Sequence, residues 1–142
     1  MTVYSALSPV SVAVYAALNV AGLTALAPGG VCDDVPQKPT FPFVLYEVAE
    51  TTLHGFGTKP GTGRTSEIGL RLHVYSTYDG MSQAQAVMAK AIELLADAPA
   101  VTGFGSWALF HDETIPLGEE LIAGVAVNEL VANFRIYLTE SV

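Results

Sequence analysis

Six side chains in this 142-residue sequence are the natural candidates for catalysis or metal binding: His54, His73, His111, Cys32, Asp33 and Asp34. Their spacing argues against both roles. No two histidines stand four residues apart, and there is no His-Glu-x-x-His run. Cys32 has no second cysteine two residues away, and it is the only cysteine, so no internal disulfide can form. No Gly-x-Ser-x-Gly elbow presents a serine nucleophile. Asp33 and Asp34 are adjacent, so their side chains diverge as turn residues do, rather than sharing a proton as a catalytic pair would. A histidine within a strand is ordinarily a half-buried packing residue, and that is the reading taken for His73 and His111.

The glycine-rich run from Gly55 to Arg64 invites a phosphate-binding interpretation. A phosphate loop needs two glycines separated by four residues, then Lys and Ser or Thr. Gly57, Gly61 and Gly63 do not satisfy that, and Lys59 stands before the wrong glycine. The run also leads into a strand, so no helix N-terminus follows to hold an anion. The expectation is therefore a protein without enzymatic activity, with no catalytic, cofactor-binding or metal-binding residues.

Charge carries more information. Asp, Glu, Lys and Arg make up 14% of the residues and hydrophobic types 51%, against about 25% charged in ordinary soluble domains. A single domain spanning 1–142 is expected, burying roughly 68% of its unfolded surface. So few charges cover the remaining surface poorly, which points to an extended apolar contact with partner chains. Net charge is −8, and the six basic residues (Lys38, Lys59, Arg64, Arg71, Lys90 and Arg135) are scattered. Gripping nucleic acid takes clustered cations, so direct sequence-specific binding is excluded. No charge occurs before Asp33, but Val10 to Ala27 contains Ser11, Asn19, Gly22 and Thr24 and is rich in alanine. It lacks flanking cations and a basic start, so neither a membrane span nor an export signal is expected.

The elements follow from periodicity. Ser8 before Pro9 reads as a helix start. The helix is apolar nearly all round apart from a stripe of Ser11, Tyr15, Asn19 and Gly22, so it should be covered on more than one side. Val31 and Cys32 read as a short strand, and residues 41–50 as a second, with Pro42 at an edge or a strand beginning. Residues 54–66 read as a mobile loop between antiparallel strands. In the next strand Ile68, Leu70, Leu72 and Val74 alternate with Gly69, Arg71, His73 and Tyr75. Ser82 and Gln85 form a capping box ahead of an amphipathic helix with Ala84, Val87, Met88, Ala91, Leu94 and Leu95 inward. Residues 105–112 and 129–138 complete the strands, while residues 113–129 are ambiguous. The fold class is α+β: a mainly antiparallel sheet of about four to five strands with two helices packed on one face.

This order resembles the tail-completion and tail-terminator proteins of tailed bacteriophages from about Val31 to Leu95. The resemblance rests on Asp33-Asp34-Val35-Pro36-Gln37, on Pro42-Phe43-Val44 and on Leu72-His73-Val74-Tyr75-Ser76. Cys32 stands where the family commonly has an aromatic residue, and Ile115 to Asn128 is longer than its usual turn. The resemblance implies a self-assembled ring, a hexamer, that caps the tail tube and meets the tail tube protein and the head–neck connector protein. DNA would pass through its acidic lumen. It also implies a place in the virion, at the neck-proximal end of the tail, after assembly in the host cytoplasm. Val10, Val14, Tyr15 and Leu18 are the expected ring interface, and His54, Phe56, Lys59 and Arg64 the expected contact with tube or lumen. A neck connector, a tube subunit, a small hydrolase using His73 or His111, and a dimeric ligand-binding domain are the alternatives.

Overall fold

A computed structural model describes residues 7–53, 65–97 and 99–140. The chain runs α1 (Leu7–Leu18), α2 (Ala21–Thr24), β1 (Val31–Cys32), β2 (Phe43–Leu53), β3 (Thr65–Ser76), α3 (Ser82–Ala96), β4 (Phe104–Ile122) and β5 (Val125–Glu140). The strands form a five-stranded sheet in the order β1-β2-β3-β5-β4. Only the β1–β2 pairing is parallel; the other three are antiparallel. The α+β class with a mainly antiparallel sheet is thus what the chain forms, and helices α1 and α3 lie on one face of it.

The alternation in β3 explains why the sheet is two-faced. Ile68, Leu70, Leu72 and Val74 are all fully or almost fully buried. In register beside them stand Tyr46 and Val44 of β2 and Ile136, Phe134, Ala132 and Leu130 of β5. Onto this inner face α1 lays Val10, Ala13, Val14 and Leu18, and α3 lays Ala84, Val87, Met88, Ala91 and Leu95. Each buried Leu, Ile or Phe is worth roughly 1.5–3 kcal/mol, so this layer supplies most of the fold's driving force.

Two capping expectations shift. Helix α1 already contains Leu7 and Ser8, so Ser8 is not its cap. Helix α3 is capped by Met81, with no side-chain bond, and Ser82 is its first helical residue. The capping box is displaced by a neighbouring arrangement. Ser76 Oγ accepts the Tyr78 N–H and donates to Gln83 Oε1, holding the 77–80 turn against the helix start. Phe43 opens β2 directly after Pro42, the strand-beginning case.

Glycine is required where β1 approaches β2. A Cβ on Gly29 would lie 1.8 Å from Thr40 O and 2.7 Å from Phe43 Cβ, while the Gly29 N–H donates to Pro42 O at 3.0 Å. Only a residue without a side chain lets the two backbones meet there.

The ambiguous segment 113–129 is the far half of a long hairpin. β3 ends at Ser76, opposite Asn128, and beyond that point only β4 and β5 continue, from Glu119↔Asn128 to Ile122↔Val125. Ala123 (φ 51°) and Gly124 (φ 80°) close it. Two consecutive positive φ values mark a type I′ connection, whose twist matches that of the strands.

Candidate functional site on the outer sheet face and the hairpin arm

The face of the sheet away from the helices carries most of the charged groups of the strands. His73 is 8% exposed and Glu129 only 4%. His73 Nδ1 lies 2.7 Å from Glu129 Oε1, and its Nε2 lies 3.4 Å from Glu47 Oε2 without making a hydrogen bond. Burial, with the charge of nearby Glu129, pushes the Tyr75 phenol well above its usual range. Glu120, one rung further along β4, has its carboxyl raised to about 6, chiefly by desolvation and further by the neighbouring Glu129. One histidine thus stands among three carboxylates at the root of the arm.

Toward the other end of the sheet the network continues. Arg71 Nε donates to Asn133 Oδ1 at 3.0 Å, and Asn133 Nδ2 donates to Glu113 Oε1 at 3.0 Å. Arg135 grips Asp112 with Nε and Nη2 and donates through Nη1 to the Tyr137 hydroxyl, which in turn donates to Glu67. The Asp112 hydrogen bonds hold the guanidinium pKa above its usual range. Its Cζ sits 5.7 Å from the centroid of the Phe110 ring, within cation–π range. Ala49 and Gly69 offer almost no side chain on the same face, leaving a shallow groove of about 440 Å³ bordered by Glu47 and Arg71.

Beside the His73 cluster lies a small second apolar centre: Phe43, Leu45, Tyr75 and Val127 are buried, with Cys32, Phe41 and Ile122 packed on them. Ile122, beside the turn, and Val127 both belong to the arm, so the hairpin is folded against the sheet as far as its last strand pair. Its exterior is different. Ile115, Leu117 (58% exposed), Leu121 (73%) and Val125 face solvent. No Lys or Arg occurs between Asp112 and Asn128, while Glu113, Glu119 and Glu120 do. A second exposed apolar group lies on the helix side: Val12 (67%), Tyr15, Val20 and Leu26. Between α1 and the end of α3, Ala13, Ala17, Val20, Leu94, Pro99 and Ala100 border an open cleft of about 420 Å³.

The four residues expected at a ring interface divide sharply. Val10, Val14 and Leu18 are completely buried against the sheet and α3. Their side chains are used within the subunit and cannot also touch a neighbour, which corrects that part of the expectation. The cause is the all-round apolarity of α1, which does not reveal which stripe turns inward. Tyr15 faces outward, with its hydroxyl accepting from Asn19 Nδ2 at 3.1 Å. His54, Phe56, Lys59 and Arg64 lie outside the described residues.

The chemistry available here is recognition and packing. Among the described residues, no group of three or more His, Cys, Asp and Glu side chains could hold a metal ion. His73 Nδ1 is paired with Glu129, while its Nε2 lies 3.4 Å from Glu47 without a hydrogen bond. His111 lies on an exposed strand edge, 2.6 Å from Thr114 Oγ1 and stacked on Phe134. Cys32 Sγ donates to Val44 O at 3.5 Å, and burial raises its thiol pKa, which disfavours the reactive thiolate. Among the described residues no helix is long and apolar enough to cross a membrane.

The chain is thus a two-layer α+β fold with exposed apolar side chains on its helix side and on a hairpin that runs past the end of β3. The family model for "Tail completion protein gp17" matches residues 12–114, well over half the chain, and the protein belongs to that family. It is therefore a structural component of a phage-type tail. The matched span ends at Thr114, so the arm lies beyond it. In fold, the chain is similar to one in the structure of the virion of a native gene transfer agent particle. The TM-score is 0.74 at 20% identity, covering 96% of this chain and 99% of that one. No curated protein matches it significantly.

Proposed function

We propose that this protein is a non-enzymatic virion subunit that closes into a ring on the end of the tail tube and joins the tail to the head–neck connector. The observation that carries this reading is two separate groups of exposed apolar side chains. One is on the arm (Ile115, Leu117, Leu121, Val125), and the other is on the helix side (Val12, Tyr15, Val20, Leu26). A head-to-tail ring uses two different patches per subunit, and a rotation that closes stops growth at a fixed number, here taken as six from the family resemblance. Burying these side chains takes apolar surface out of water, which favours association. A net charge of −8 makes the ring repel DNA passing through its opening, so the genome would not stall there. In this scheme the loop expected at 54–66, whose last two residues are instead the start of β3, contacts tube or lumen through His54, Phe56, Lys59 and Arg64, and the ring sits at the neck-proximal end of the tail after assembly in the host cytoplasm.

The test is mass by light scattering, followed by negative-stain microscopy with and without tail tubes. The expected result is a closed ring that does not elongate alone and binds one tube end. A highly soluble monomer at high concentration, with no affinity for tubes, overturns the proposal; long tubes formed by the protein alone would instead make it a tube subunit.

A further inference from the structure

The sheet ends in two strand edges that lie open over the same rows. On one side, β1 pairs only with Val44 and Leu45, and among the described residues no strand pairs with that edge of β2 from Tyr46 to Leu53. The Val44 N–H points outward, donating to Gly30 O. The β2–β3 register runs on without a bulge, so outward backbone groups recur at Tyr46, Val48, Glu50 and Thr52. On the other side, β5 is the only strand that pairs with β4 among the described residues. The pairings from β2 through β3 and β5 to β4 are all antiparallel, so the two edges run in opposite directions. Followed across the sheet, Leu53 shares a row with Ser106, Ala49 with Phe110 and Tyr46 with Thr114. Where β1 covers β2 at Val44, the row ends in Pro116, which has no N–H to offer.

The two edges also fit in charge and shape. From Ser106 to His111 β4 keeps its register, with no charged residue and no proline. Beyond it Asp112, Glu113, Pro116 and two register shifts blunt the edge against pairing. The β2 edge carries Glu47 and Glu50, so two β2 edges would repel, whereas the uncharged stretch of β4 meets them without repulsion. On the outer face the row Phe110–Arg135–Gly69–Ala49 is bulky at one end and empty at the other. Phe110 is 49% exposed, its ring centroid 5.7 Å from the Arg135 guanidinium carbon and 5.6 Å, edge-on, from the Tyr137 ring. A Cβ on Gly69 would meet nothing within 4 Å, and the groove there is about 440 Å³.

Resting on the ring reading above, we propose that neighbouring subunits are joined through their main chains: Ser106–His111 of one adds antiparallel to the open β2 edge of the next, seating Phe110 over Ala49 and Gly69 of that neighbour. Copies set side by side in the same orientation bring these two edges together. Each subunit then keeps one edge of each kind for the next, the head-to-tail condition for a ring. The exposed apolar groups flank the joint: the arm continues β4, and α1, with Val12 and Tyr15, touches β1 and β2.

Val48→Pro removes one outward N–H and leaves the ladder to β3 in place, a change that an edge strand tolerates. The full chain should keep its far-ultraviolet circular dichroism while assembly weakens at least about tenfold. Light scattering would then read a mass falling from the ring toward the 14.9 kDa single chain. Phe110→Ala, at an exposed edge position, should weaken assembly in the same direction. A cross-link tests the register without relying on either variant. Thr51 and Ala108 form the next row on the same face, and Thr51 aims its own backbone groups at β3, so across the joint the two make the closer, non-hydrogen-bonded kind of pair. Thr51→Cys with Ala108→Cys, in a Cys32→Ser background, should give covalent oligomers on oxidation, and neither cysteine alone should. Rings that survive Val48→Pro in a folded chain, or rings in which the cysteine pair fails to cross-link, overturn this joint and leave the ring reading standing. A wild-type chain that stays at 14.9 kDa at high concentration overturns both.

Discussion

Strand β3 sends alternate side chains into two different worlds. On the inner face Ile68, Leu70, Leu72 and Val74 join a continuous apolar layer under α1 and α3. On the outer face Arg71, His73 and Tyr75 meet an amide, two carboxylates and an aromatic ring, each at a specific atom. The inner face stabilises in proportion to area and is indifferent to the identity of any one neighbour. The outer face depends on particular pairs, such as His73 Nδ1 with Glu129, because a buried donor or acceptor that loses its partner costs its full desolvation. The helix-covered side thus makes the subunit fold. The open side, which the arm extends, sets the geometry that neighbours would read.

The sharpest way to break this contrast is to damage each face once. Phe134→Ala empties a fully buried ring position on the inner face and should cost about 3–5 kcal/mol, seen as a large drop in the urea midpoint. Glu129→Ala on the outer face removes less volume but strands His73 Nδ1 in a nearly closed site. It should cost about 1–3 kcal/mol. His73→Ala made in the Glu129→Ala background should then add little, since the partner is already gone. Additive losses in that double-mutant cycle would mean that the outer face also works by area alone, and the contrast would fail.

The two faces differ as much in legibility as in physics. Strands β3 and β5 and helix α3 can be read because their apolar residues keep period two or 3.6, and nearly all the inward residues assigned from that period are buried. The pairing of His73 with Glu129 cannot, because the two are 56 positions apart and meet only through the register His73↔Val131 and Tyr75↔Glu129. The far half of β4 is unreadable for a local reason. Register shifts at His111/Glu113 and Pro116/Gly118 break the alternation, and a proline and a glycine sit inside the strand. Its turn is Ala-Gly rather than Asn-Gly, so the strongest hairpin signal is missing. Helix α1 misleads differently: with Val10, Val12 and Val14 equally apolar, nothing distinguishes the buried stripe from exposed Val12.

The Ala-Gly turn gives a smaller test of the arm as a separate unit. Gly124 holds φ at 80°, and nothing lies within 4 Å of where a Cβ would stand, so Gly124→Ala would meet no clash, only backbone strain. It should cost about 1 kcal/mol. Ala123→Asn should recover part of that, because Asn tolerates the left-handed region that Ala123 now occupies. Exchange at residues 121–127 should respond to both changes while the inner-face amides of β3 do not. A uniform response across the sheet would show that arm and body open together.

The smallest expected effect on stability carries the largest consequence for assembly. Leu121 is 73% exposed and makes no part of either apolar cluster. Leu121→Ser should therefore leave the unfolding free energy within about 0.5 kcal/mol of wild type. If the arm's exterior is covered by a neighbouring subunit, the same change places a hydroxyl in a desolvated contact and should shift the light-scattering mass from ring toward monomer. Val12→Ser on the helix-side patch should do the same, since a head-to-tail contact needs both surfaces. An unchanged fold with lost rings would separate what folds the subunit from what joins it to others. Rings that survive both substitutions would remove the two exposed patches from the interface and leave the outer sheet face, with its groove at Gly69, as the surface that meets a partner.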